Sequence, residues 1–145
     1  MSSTVLVRDI MSKNMKTART DSKLREVIQK MVKFHISSIV VIERDKPVGI
    51  ITERDFLKEL SQAVLDLDVV EAKDVMSRKL VTVDEAADIE EASQLMLKNN
   101  VKKLPVVNNG KLIGIITSSD ILRGTNIMLS SLKDICMIGK LSEKD

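Results

Sequence analysis

Two segments, GIITERD at Gly49–Asp55 and GIITSSD at Gly114–Asp120, set a threonine and an aspartate three residues apart after an apolar run. The β-branched run reads as a strand and the polar residues after it as the start of a helix. At such a junction the simplest role for Thr-x-x-Asp is a capping box, in which hydroxyl and acid satisfy the first N–H groups of the helix. The acid also suits the positive end of the helix dipole. The same geometry can do binding chemistry. A helix N-terminus offers unpaired N–H groups and partial positive charge to a phosphate. The threonine hydroxyl can point at the same phosphate. An aspartate one turn along can accept two hydrogen bonds from a vicinal diol such as ribose. A glycine inside the strand leaves room for a close approach, or marks tight packing or a bulge.

The two segments belong to a longer duplication. Shifting the chain by 65 residues lays RDIMS (Arg8–Ser12) on KDVMS (Lys73–Ser77), Thr17 on Thr82, Glu26 on Glu91, Met31 on Met96 and Val41 on Val106. The register holds without a gap from Asp9 to Leu57. Two copies are too few for a solenoid, so they should close on each other about an approximate two-fold axis. The cleft between the halves is then a natural place for a ligand.

Within one copy, Leu24, Val27, Ile28 and Met31 fall on one face of a helix, as do Ile89, Ala92 and Met96 in the other. SSIVVIE (Ser37–Glu43) and KLPVV (Lys103–Val107) read as buried strands. Turns follow at Arg44–Pro47 and Asn108–Lys111, the second holding the hairpin signal Asn109-Gly110. A further strand and a helix starting near Glu53 or Ser118 complete each copy. The connection at 60–71 is read as a helix end plus a short strand. NIMLSSL (Asn126–Leu132) suits a helix and Gly139–Asp145 a frayed end. The expected organisation is a first unit at 1–65, a second at 66–124 and an extension at 125–145, in an α/β fold with two small sheets.

Composition excludes several functions. The 145 residues are 43% apolar and 30% charged, with a net charge of +2 and only Phe34 and Phe56 as aromatics. Lysines and arginines are scattered, and stacking residues are almost absent, which argues against a nucleic-acid partner. One cysteine, Cys136, and one histidine, His35, supply neither a disulfide nor the soft ligands of a zinc site. Cys136 is read as a small apolar residue and His35 as a helix-terminal one. No nucleophile, base and orienting group are spaced for catalysis, so no enzymatic activity is expected. The N-terminus shows no signal-peptide pattern and no stretch approaches a membrane-length apolar run, so the cytoplasm is the expected location.

Taken together, RDIMS and KDVMS, VKKLPVV and the paired GIITxxD segments resemble a tandem pair of cystathionine β-synthase (CBS) domains, a Bateman module, over about residues 5–124. The resemblance implies two βαββα repeats packed sheet to sheet with pseudo-two-fold symmetry. It also implies adenosine ligands in the cleft: AMP, ADP, ATP or S-adenosylmethionine. Carried over residue by residue, it puts Thr52 and Asp55 in one site and Thr117 and Asp120 in the other, threonine near phosphate and aspartate on ribose. Backbone at Ile36 and Val101 would recognise adenine, with Thr17 and Ala18 or Thr82 and Val83 lining the base pocket. Lys103, beside Lys102, matches a phosphate-contacting position. The copies differ there: Ser37 and Ser38 stand where the second copy has Lys102 and Lys103, and Arg54 stands where it has Ser119. Arg54 could contact phosphate with charge assistance.

The expected function is therefore a regulatory module that senses an adenine nucleotide and signals to an unknown partner through a change of shape, with no metal or other cofactor and commonly as a homodimer. The competing expectations are a dimeric scaffold that binds no ligand, and a binder of S-adenosylmethionine.

Overall fold

The computed structural model describes residues 5–126. The tail, Cys136 and all but the first residue of the 126–132 helix expected from sequence lie outside them. The first repeat runs α1 (Val7–Ile10), β1 (Thr17–Arg19), α2 (Leu24–Lys33), β2 (Ser38–Glu43), β3 (Lys46–Thr52) and α3 (Glu53–Gln62). The second runs α4 (Ala72–Val75), β4 (Val83–Asp84), α5 (Ile89–Asn99), β5 (Lys103–Asn108) and β6 (Lys111–Thr117). It ends on a helix at 118–126, here α6.

Each repeat folds the same three-stranded sheet, ordered β1-β2-β3 and β4-β5-β6. The first strand pairs parallel to the second, and the second pairs antiparallel to the third. The hairpins close through two residues with positive φ, Arg44–Asp45 in one and Asn109–Gly110 in the other, the turn whose twist matches a two-stranded ribbon. Each sheet buries alternate residues against its own helix. Ile39, Val41 and Ile51 share a core with Val27 and Met31. Leu104, Val106 and Ile116 share one with Ala92 and Met96. Because side chains alternate, Ser38, Val40 and Thr52 project from the opposite face, as do Lys103, Pro105 and Thr117.

The connection departs from the expected short strand. Beyond α3 the chain turns through 67–69, and its only ladder contact before α4 is an isolated bridge between Glu71 and Lys23. Val64 and Val69 are exposed, so the apolar character that suggested a strand is not buried there.

The motifs RDIMS and KDVMS interlock the two repeats. Each forms a short helix that enters the core of the other copy: Val7 and Met11 pack with the second repeat's core, Ala72 and Met76 with the first's. Behind each helix a serine joins the other repeat's last strand. Ile50 N–H donates to the Ser77 carbonyl at 3.0 Å and Ser77 N–H to Ile50 at 2.9 Å. Ser12 and Ile115 exchange the same pair at 2.8 and 2.9 Å.

This contact explains both strand glycines. A Cβ at Gly49 would lie 2.5 Å from Met76 Sδ and 2.9 Å from the Ser77 carbonyl. At Gly114 it would lie 2.7 Å from Met11 Sδ and 3.0 Å from the Ser12 carbonyl. The close approach is made by the other repeat's methionine and backbone. Alanine in a strand is ordinarily the better residue, by about 0.5–1 kcal/mol. Here the sign reverses: Gly49→Ala is expected to destabilise by roughly 1–3 kcal/mol through overpacking. Urea denaturation checks this, and a Gly49→Ala protein as stable as wild type would refute the clasp.

Candidate functional site

The two Thr-x-x-Asp segments form the same cap. Thr52 is the N-cap of α3: its Oγ accepts from Asp55 N–H at 3.2 Å, and Asp55 Oδ2 accepts from the Thr52 N–H at 2.8 Å. In the second copy Asp120 N–H donates to Thr117 Oγ at 3.2 Å, and Thr117 N–H donates to Asp120 Oδ2 at 2.8 Å. Both aspartates thus do structural work through one carboxylate oxygen. The second oxygens differ. Asp120 Oδ1 is held by the Arg123 guanidinium, while Asp55 Oδ1 takes no partner among the described residues. Asp120 is also the more deeply placed, at 6% exposure. The i, i+3 spacing of Asp120 and Arg123 is the sequence signal for this contact.

Sheet register brings the phosphate candidates together. Lys103 lies directly opposite Thr117, and Ser38 directly opposite Thr52. Paired side chains stand on one face about 4.5–5.5 Å apart at Cβ, so positions 38 and 103 adjoin the caps on the side away from the helices. Lys102, on the other face, is exposed, whereas Lys103 is half-buried. Burial pushes the Lys103 ammonium pKa below the usual lysine value, and no acid pairs with it among the described residues. Ser38 Oγ is buried with no hydrogen-bond partner. Arg54 is exposed in the first turn of α3 and makes no ion pair among the described residues.

The base-pocket candidates divide by atom. Ile36 and Val101 sit between helix and strand, and their N–H groups close the preceding helices by donating to Met31 and Met96, each at 3.0 Å. Their carbonyls accept no hydrogen bond among the described residues. Ala18 and Val83 are buried in the helix-side cores. Thr17 and Thr82 are half-buried. The Thr17 carbonyl is engaged by Lys30 Nζ at 2.7 Å. A cavity of about 340 Å³ between the repeats reaches Thr17 but is otherwise lined by residues such as Met15, Ile42, Asp45 and Leu112. It does not touch the caps. A larger cavity, about 750 Å³, opens on the outer helices between Val32, Ile36, Phe56 and Leu57.

His35 takes a backbone role. It follows the C-cap of α2 at φ 55°, and its counterpart Asn100 has φ 52°. Both close their helices in the left-handed conformation, which His and Asn tolerate better than most residues. Among the described residues no group of three or more His, Cys, Asp or Glu could hold a metal ion, and no helix is long and apolar enough to cross a membrane.

The CBS domain family model matches residues 7–62 and 72–125. The chain belongs to the CBS domain family. The two matches cover the two interlocked repeats, which therefore form a CBS domain pair. The chain is 35% identical over 102 residues to an uncharacterized protein of Methanopyrus kandleri, a match spanning 70% of this chain and 52% of that protein. It also matches inosine-5′-monophosphate dehydrogenases of Thermoplasma acidophilum and Methanocaldococcus jannaschii, but spans only 19% and 18% of their lengths. Among solved structures, the CBS domain pair of protein MJ0100, in complex with 5′-methylthioadenosine and S-adenosyl-L-methionine, is 31% identical with a TM-score of 0.71, covering 83% of this chain and 95% of that one. Hypoxic Response Protein I, crystallised with two coordinated zinc ions, is 28% identical with a TM-score of 0.74, covering 82% and 98%.

The caps give a direct test of local structure. Thr52→Ala and Thr117→Ala are each expected to cost about 1 kcal/mol, the usual loss on removing a side-chain cap. Thermal or urea unfolding reads the difference, and unchanged stability in both variants would mean that the caps contribute nothing.

Proposed function

We propose that this CBS pair is a regulatory module that binds an adenine nucleotide between its repeats and passes the signal to a partner protein by a change in their relative angle. The observation that carries the reading is the cap at the end of each sheet, with the unpaired Lys103 ammonium beside the second one. An anion there would gain a charge-assisted bond and relieve the cost of a half-buried cation. Threonine hydroxyl and helix N-terminus would share the phosphate. The Oδ1 atoms of Asp55 and Asp120 would take the ribose diol, Asp120 after Arg123 moves aside. The open carbonyls of Ile36 and Val101 are placed to accept from an exocyclic adenine amine. The bound ligands of MJ0100 support the adenosine class. Signalling then needs unequal affinity for two relative arrangements of the repeats. The structural role of the clasp motifs makes catalysis at them unnecessary, and the module is read as non-enzymatic and cytoplasmic.

Isothermal titration calorimetry against AMP, ADP, ATP and S-adenosylmethionine tests this reading. Saturable heat from a nucleotide is the expected result, and Asp120→Ala should abolish binding at the second cap while circular dichroism shows the fold intact. S-adenosylmethionine as the sole ligand would select the second reading, and no heat from any of the four on folded protein would leave a scaffold.

A homodimer is part of the same proposal. Val32 and Leu57 are 70% and 68% exposed, and their counterparts Leu97 and Leu122 are 80% and 64% exposed. An apolar face repeated on both halves suits a second copy of the chain. Sedimentation should give a dimer, and Leu57→Glu combined with Leu122→Glu should give a folded monomer. A wild-type monomer at tens of micromolar would end the dimer proposal.

A further inference from the structure

The two caps share a backbone but not a charge. Ser38 and Lys103 occupy the same register position, each opposite its cap threonine and on the same face of its sheet. One offers a neutral hydroxyl, the other an ammonium. The starts of the two helices carry no net difference, so the difference in charge rests on Lys103 against Ser38 and on where the helix charges sit. In α3, Glu53 and Asp55 balance Arg54 and Lys58. In α6, Ser118 and Ser119 are neutral, and Lys103 with Arg123 outweighs Asp120 even when the outward-facing Lys102 is set aside. Glu53 stands at the first helical position of α3, where a phosphate would come closest to the helix N–H groups and where a like charge repels it.

The polar atoms left unpaired point the same way. Lys103 is half-buried, and among the described residues no acid pairs with it. At the other end the unpaired atom is the buried Ser38 hydroxyl. A buried hydroxyl can satisfy one neutral donor or acceptor but cannot offset a phosphate's charge. We propose that the two ends of the pair take different ligands: the Lys103–Thr117 end an adenosine compound with an anionic 5′-phosphate, and the Ser38–Thr52 end an adenosine compound with no negative charge at its 5′ position. This rests on the nucleotide reading above and adds to it a division of labour. The protein would respond to the ratio of two adenosine metabolites and not to one alone.

The test uses the full chain and two probes, AMP and the uncharged thioether 5′-methylthioadenosine, in calorimetric titrations run separately and in sequence. Wild type should bind one AMP and one thioether per chain without mutual displacement. Lys103→Ser should weaken AMP by at least about tenfold, the loss of one good charged contact, and leave the thioether unchanged. Ser38→Lys should raise the AMP stoichiometry to two and remove the thioether site. Circular dichroism checks that each variant folds, and either variant alone decides the matter if the other does not. Two equal AMP sites in wild type, or AMP binding unaffected by Lys103→Ser, would overturn the asymmetry and leave the nucleotide reading standing. Absence of heat from both probes would overturn the two together.

Discussion

The structure depends on one reciprocal contact. The Met-Ser pair that ends each short helix lies against the last strand of the other repeat, so closely that only glycine fits beneath it. Two backbone hydrogen bonds on each side fix the register. Neither repeat completes its core alone, since Val7 belongs with the second and Ala72 with the first. A duplicated unit of this size buries too little apolar surface to be robust by itself. Exchange of the leading segments makes one cooperative body out of two marginal ones. It also fixes where the caps sit, because the clasped strands β3 and β6 are the strands that end in Thr52 and Thr117.

That arrangement explains why a polar site can form at the sheet ends without destabilising the core. Each strand sends alternate residues to its helices and to the opposite face. The helix side is filled by Ile39, Val41 and Ile51, or by Leu104, Val106 and Ile116. Between them Val40 and Pro105 are buried on the opposite face, and only at the strand ends is the packing demand relaxed enough for Ser38 or Lys103. Lys103 keeps its charge in a half-buried place only at a desolvation cost, which its lowered pKa records. Binding an anion would reverse that shift.

The duplication, the helix faces, the hairpins and the strand-to-helix junctions were legible in the sequence because they rest on local periodicity and turn chemistry. Leu24, Val27 and Met31 are buried as the helical spacing requires, and Asn109-Gly110 forms the two-residue turn. What was not legible is long-range. Nothing local says that RDIMS packs on the copy that follows it, or that the glycine of GIIT receives a methionine instead of a ligand. The linker misled for a related reason. Its apolar residues matched a strand, but its backbone meets the start of α2 through an isolated bridge and single hydrogen bonds and not through a sheet ladder. At the site, the Thr-x-x-Asp pattern announced a cap, which the structure contains, and the i, i+3 spacing allowed the Arg123 pair, while the buried Ser38 hydroxyl without a partner among the described residues required coordinates.

Comparison between the copies therefore separates two kinds of residue. The glycine, threonine and aspartate of GIITxxD and the Met-Ser pair, identical in both, each have a backbone or packing task in the clasp or the caps. Their repetition is accounted for by the fold and would persist in a pair that bound nothing. On the proposed reading, ligand information resides in positions that share the geometry of the cap but not its constraints. Position 38 against 103, and positions 53 and 54 against 118 and 119, fit this description: none caps a helix through its side chain or fills a core. A duplicated scaffold with divergent residues at those places has the means to treat two ligands differently while keeping one mechanical linkage between them. Because both caps end strands held by the reciprocal clasp, a ligand that shifted one repeat, as proposed, would load the contact that positions the other.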